Sequence, residues 1–233
     1  MPKVLIADNI SDVVCEIFDT NNIEYEKKVG LSEDELSAEI KGYDGLLIRS
    51  AVTVTKKIIE SSDTLKVIGR PGVGVDNVDL QASSEKNIVV MNTPLGNVQA
   101  TAELTFGIIH SLMRKIHIAN SSMHNKKWEK KKLIGNELLG KNIAIIGFGN
   151  IGKKVADFAQ AYGMNIIVVS ETASSGDVDY LNAKVMKFDD MLSEADIITF
   201  HNKLSEKSKY IINSESLKQM KKNSIVINCA RGG

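Results

Sequence analysis

Two cysteines in 233 residues, no net charge and no long apolar run remove several classes of function before any motif is considered. Cys15 and Cys229 are far apart and fit neither a disulfide framework nor a metal-ligand spacing. They imply a cytoplasmic protein with two reduced, buried thiols and no bound metal. Lys plus Arg and Asp plus Glu stand at 29 each, so no overall charge draws the chain to nucleic acid or to an anionic membrane. No stretch approaches the ~18 apolar residues of a membrane span. The start, MPKVLIADN, lacks a basic segment followed by an apolar one and reads as a strand, not a signal peptide. Neither a repeat nor a low-complexity tract is present. What remains is ordinary globular composition, 43% hydrophobic and 25% charged, in a length that suits two small domains or one large one.

Short apolar runs alternate with helical patterns along the whole chain. Lys3–Ala7, Ile23–Val29, Gly45–Ile48, Leu65–Gly69 and Ile88–Met91 read as strands. Between them lie helices: Ser11–Asn21, with Val14, Ile17 and Phe18 on one face; one beginning at Ser32 with a capping box to Glu35; and one opening at Thr55. The turn Asn92–Asn97 then breaks the pattern. A single long helix is expected from about Val98 to His124, joining two domains, with His110, His117 and His124 in one stripe. Successive members would lie about 10 Å apart along the axis, too far for one metal ion. The basic stretch Lys126–Lys132 reads as a solvated linker anchored by Trp128. It lacks the interleaved aromatics of a nucleic-acid site. A second strand series follows: Asn142–Ile146, Asn165–Ser170, Lys184–Phe188, Asp196–Phe200 and Ser224–Asn228. Strand and helix alternating at this pitch predict α/β domains with parallel sheets.

Gly147-Phe148-Gly149-Asn150-Ile151-Gly152 is a G-x-G-x-x-G placed directly after an apolar strand and opening a helix, the context in which it binds a dinucleotide. Gly147 permits the tight turn, Gly149 lets the backbone approach a pyrophosphate, and Gly152 lets helix pack on strand. Free N–H groups at the helix start bind the phosphate. An acid is then required at the end of the next strand to hold the adenosine ribose. That position is Ser170, and Glu171 follows it. No Arg or Lys lies in Ser170–Gly176 to meet a 2′-phosphate, so the expected cofactor is NAD.

Four segments taken together, residues 68–79 (IGRPGVGVDNVD), 92–97 (NTPLGN), 147–152 and 228–233 (NCARGG), resemble the D-isomer-specific 2-hydroxyacid dehydrogenases in order and spacing. The likeness covers the whole chain and is nearest to members acting on 3-phosphoglycerate. It implies two Rossmann-like domains of doubly wound parallel sheet with the active site in the cleft between them. The substrate-binding domain is placed at 1–97, and the NAD-binding domain, incomplete at its C-terminal end, at 98–233. Arg231 matches the family's carboxylate-binding, catalytic arginine, whose planar fork holds a carboxylate bidentately. Val73 and Gly74, with Gly72, match a loop offering backbone N–H groups to the same carboxylate, a nest expected to need glycine freedom. Arg49, Ser50 and Asn97 match further substrate-facing positions. Asn150, Ile151, Asn202, Cys229 and Ala230, with Val73, match positions lining the cofactor. The chain departs from the family pattern at Pro71, Leu104, Ser170 and Lys203.

In this family the histidine that takes the hydroxyl proton, and the glutamate that orients it, lie downstream of the CARGG segment. The resemblance therefore implies a C-terminal truncation: a fragment inactive by itself and of marginal stability, and part of a homodimer or homotetramer when full length. The alternative is an NAD(H)-sensing binding module without catalysis, similar to the family's corepressors.

Overall fold

The computed structural model describes residues 1–181 and 183–232. The chain divides into two compact units, Met1–Asn97 and Val98–Gly233.

The first unit alternates β1 (Lys3–Ile6), α1 (Val13–Thr20), β2 (Glu24–Lys27), α2 (Glu33–Glu39), β3 (Gly45–Leu47), α3 (Lys56–Ser61), β4 (Val67–Arg70), α4 (Leu80–Glu85) and β5 (Val89–Asn92). All strand pairs are parallel, in the order β2-β1-β3-β4-β5. One face of the sheet meets α2, α3 and α4 through Leu5, Leu36, Ile40, Leu46, Ile58, Ile59, Ile68 and Ala82. The capping box expected at Ser32 is formed: Glu35 N donates to the serine hydroxyl, and the Glu35 carboxylate accepts from Ser32 N. Glu33, Asp34 and Glu35 in the first turn also suit the positive end of that helix. The expected apolar face of α1 is only partly used, since Val14 and Phe18 are half-buried and Ile17 is exposed.

The second unit contains α5 (Val98–Met113), α6 (Ile116–His124), β6 (Asn142–Ile146), α7 (Asn150–Ala161), β7 (Asn165–Val169), β8 (Ala183–Val185), α8 (Phe188–Leu192), β9 (Ile197–Phe200), α9 (Ser214–Gln219) and β10 (Ile225–Asn228). Its sheet is again parallel, ordered β10-β9-β6-β7-β8. The central strand β6 is apolar on both faces, as a parallel strand covered on both sides must be. Ile143 and Ile145 pack with Phe106, Ile109, Val155 and Ala159, whereas Ala144 and Ile146 pack with Met191, Leu192 and Ala195. A polar ladder fixes the amino ends of three strands. Asn165 Nδ2 donates to Asn142 Oδ1 (2.9 Å), Asn142 N donates to Asp196 Oδ2 (2.8 Å), and Lys221 Nζ donates to Asp196 Oδ1 (3.1 Å).

Several expectations are corrected. The helix expected to run unbroken from Val98 to His124 is two helices, because Lys115 adopts a left-handed conformation (φ 54°) between α5 and α6. The three histidines therefore do not form one stripe, since His110 lies in α5 and the other two in α6. His110 lies edge-on to the Tyr162 ring at 4.8 Å, His117 Nδ1 is 3.2 Å from Ser111 O, and His124 Nδ1 is 2.9 Å from Asn120 O. Nor is the segment a bare connection: α5 is a layer of the second unit, with Phe106 stacked on Tyr162 and edge-on to Phe158. Trp128 does not act as an anchor among the described residues, being 79% exposed. Both thiols are free, and both are half-buried instead of buried.

Candidate active site

In a parallel sheet the crevice for a ligand opens at the carboxyl edge, where the strand order reverses direction. In the second unit this point lies between β6 and β9. Gly147 follows β6 with φ 92°, and a Cβ there would meet Asn202 N at 2.6 Å and Asn202 Cα at 2.7 Å. Only glycine allows the β6 turn and the β9 loop to approach so closely. A Cβ on Gly152 would stand 2.1 Å from Gly147 O, so that glycine lets α7 seat against the turn. Gly149 differs, since a Cβ there meets nothing within 4 Å. It is the N-cap of α7, where no side chain caps the helix and no acid occupies the first turn. The amides of Asn150 and Ile151 open that turn. An uncapped helix start beside an open glycine accepts an anion, so these residues fit a dinucleotide pyrophosphate.

Asn202 lies just past β9, donating from its side chain to Lys203 O (3.0 Å). It shares a cavity of about 200 Å³ with Phe200, Tyr210, Asn228, Ala230 and Arg231. After β10, Asn228 shapes the turn: its Oδ1 accepts from Ala230 N (3.0 Å) and its Nδ2 donates to Arg231 O (2.8 Å). This presents the exposed Arg231 side chain at the same carboxyl edge. Cys229 packs on one face of the sheet and Ala230 on the other. Gly233, which ends the 228–233 segment, lies outside the described residues.

His201, which the sequence places after a late strand of the second domain and beside the cofactor site, touches the glycine loop through its carbonyl carbon, 2.8 Å from where a Gly147 Cβ would stand. Its Nε2 pairs with Thr199 Oγ1 (2.9 Å), while its buried Nδ1 has no hydrogen-bond partner among the described residues. Burial pushes its pKa down to about 4, so the ring is neutral at pH 7.

Past β7, the Ser170 hydroxyl accepts from Thr172 N and Ala173 N, both at 3.3 Å, and so is engaged in its own turn. Glu171 stands in solvent and pairs with Lys207 Nζ at 3.2 Å. No local pattern points to this lysine, because the pair is 36 residues apart and the fold alone joins them.

In the first unit the reversal lies between β1 and β3. Here Asp8, also unforeseen, is buried, and its Oδ2 accepts from Arg49 N (2.9 Å) and Ala51 N (3.0 Å). Arg49 and Ser50 are thus held at the end of β3 with exposed side chains. Asn77 ties this loop to the next: its Nδ2 donates to Arg49 O and Val52 O, and its Oδ1 accepts from Arg70 Nε (3.1 Å). Asn92 Nδ2 fastens Val73 O at 2.7 Å. The glycine freedom expected in this loop is not used, since neither Gly72 nor Gly74 has positive φ. Gly72 instead leaves room for the Arg70 guanidinium, whose Nη1 a Cβ would overlap. Asn97 is exposed at the end of the unit, past β5. Among the described residues no group of His, Cys, Asp or Glu could hold a metal ion, and no helix is long and apolar enough to cross a membrane.

Residues 106–233, more than half of the chain, match the family model of the D-isomer specific 2-hydroxyacid dehydrogenase NAD binding domain. The chain belongs to this family. Its 2-hydroxyacid dehydrogenase relatives include a D-3-phosphoglycerate dehydrogenase of Synechocystis, 40% identical over 100% of this chain and 42% of that protein. The human D-3-phosphoglycerate dehydrogenase is also 40% identical, over 99% of this chain and 43% of that protein. The chain thus spans less than half the length of these relatives. A solved protein of Thermus thermophilus superposes with a TM-score of 0.89 at 29% identity, covering 99% of this chain and 74% of that one. The matched domain is an NAD binding one, so NAD is its cofactor.

Proposed function

We propose that the chain carries the cofactor-binding and part of the substrate-binding machinery of an oxidoreductase moving a hydride between NAD and a D-2-hydroxyacid, with 3-phosphoglycerate oxidised to 3-phosphohydroxypyruvate in serine biosynthesis. The observation that carries this is the open, uncapped glycine at the reversal point of the second sheet, with Arg231 presented at the same edge. NAD supplies the hydride acceptor. The amides of Asn150 and Ile151 hold its pyrophosphate, Asn202, Cys229 and Ala230 line its site, and Glu171 takes the ribose. Arg231 grips the substrate carboxylate through two parallel N–H donors and so orients the carbon that gives up hydride. Val73 and Gly74 offer amides, Ser50 and Asn97 polar side chains, and Arg49 and Arg70 two cations suited to a phosphate. These arginines, and the names of the relatives, favour a phosphorylated substrate. No residue of this chain is assigned the hydroxyl proton.

The reading places the protein in the cytoplasm on its two unpaired thiols, and takes a second copy as partner for the α6 face, where Ile116, Ile118 and Met123 are exposed. Fluorescence titration with NADH tests the core of it. A Cβ at Gly149 meets nothing within 4 Å, so for Gly149→Val we expect an unchanged fold and a loss of affinity of about 100-fold or more. NADH binding indifferent to this change would remove the glycine loop from the site. In the presence of NADH, 3-phosphoglycerate should bind more tightly than D-lactate, and Arg231→Lys should weaken both.

A further inference from the structure

This inference rests on the cofactor reading above and deepens it. β7 runs beside the strand that carries the glycine loop, and Ser170 and Glu171 follow its carboxyl end. The Ser170 hydroxyl is engaged with two amides of its own turn. Glu171 is 81% exposed and meets Lys207, 84% exposed, which reaches across from the loop between β9 and α9. A carboxylate is an acceptor only, matched to ribose hydroxyls and repelled by a phosphate, whereas an ammonium is a phosphate partner. One cation and one anion of opposite preference therefore sit side by side at the ribose end of the site.

We propose that the Glu171–Lys207 pair decides which dinucleotide the chain accepts. Glu171, held by Lys207, takes the ribose hydroxyls and excludes a 2′-phosphate. Lys207 is a phosphate anchor masked by Glu171. Exposed pairs of this kind add little to stability, so variants at both positions remain folded and their binding can be compared directly.

The test is titration of the chain and of Glu171→Gln, Lys207→Gln and the double variant with NADH and with NADPH. Wild type should prefer NADH. Glu171→Gln should weaken NADH about tenfold, through the lost charged acceptor, and tighten NADPH about tenfold. The NADPH gain should vanish in the double variant and shrink with added salt. NADH affinity unchanged in Glu171→Gln, or an NADPH gain that survives the loss of Lys207, would overturn the proposal while leaving the cofactor reading intact. A folded wild type that binds neither dinucleotide would overturn both.

Discussion

In the first sheet the strand order reverses between β1 and β3, and the buried Asp8 carboxylate fills that point by accepting the amides of Arg49 and Ala51. In the second it reverses between β6 and β9, and the glycine turn lies there with an open Gly149 at its tip. Both sheets have five parallel strands, and in both the chain diverges at the reversal and leaves backbone donors without a neighbouring strand. One sheet satisfies these donors from within, with a side chain. In the other no side chain caps the helix that starts there. Topology thus sets up both points, and they differ in the residue placed there, an aspartate in the first and an open glycine in the second.

Substitutions that close or open these two points should separate them. The largest effect is expected for Gly152→Val, where the new atoms meet Gly147 O and no flexible side chain can yield. Loss of about 4 kcal/mol in urea unfolding of the second unit is expected, and a loss under ~1 kcal/mol would show that the turn is looser than described. Next comes pH. The folded His201 has a pKa near 4, below its ordinary value of 6.5. The unfolded state thus binds more protons in that window, and stability is full above pH 6.5 and falls as pH drops toward 4. The span is on the order of 3 kcal/mol, and His201→Gln should flatten this part of the profile. Asp8→Ala strands two loop amides and should cost about 2 kcal/mol in the first unit while leaving NADH affinity unchanged. An equal loss of NADH affinity would mean the two reversal points are not independent. Smallest is Ser32→Ala, which removes the α2 cap for about 1 kcal/mol and leaves both edges as they were.

Much of the second sheet was legible because its strands are apolar runs bracketed by polar residues, and β6 matches its expected limits of Asn142 and Ile146. Helix α6 was not, since the break before it rests on Lys115, with neither glycine nor proline to mark a left-handed residue. The steric demands on Gly147 and Gly152 follow from local spacing and are seen in the structure, whereas the role assumed for Gly72 was wrong in kind: space for Arg70, not backbone freedom. Asp8, Asn77 and Lys207 were missed for one reason. Each acts on a partner between 7 and 43 residues away, and no periodic pattern encodes such a pairing.

The ladder of Asn165, Asn142 and Asp196 bears on how this sheet can change over evolutionary time. β6 is apolar on both faces, so sliding it by one residue would expose nothing new, and hydrophobic patterning alone cannot forbid the slip. Alignment is remembered instead at the amino rim, by amide and carboxylate contacts that fit one register. The opposite rim is thereby released from that duty. Its loops can gain, lose or exchange the residues that choose a cofactor or a hydroxyacid without scrambling the strands beneath them.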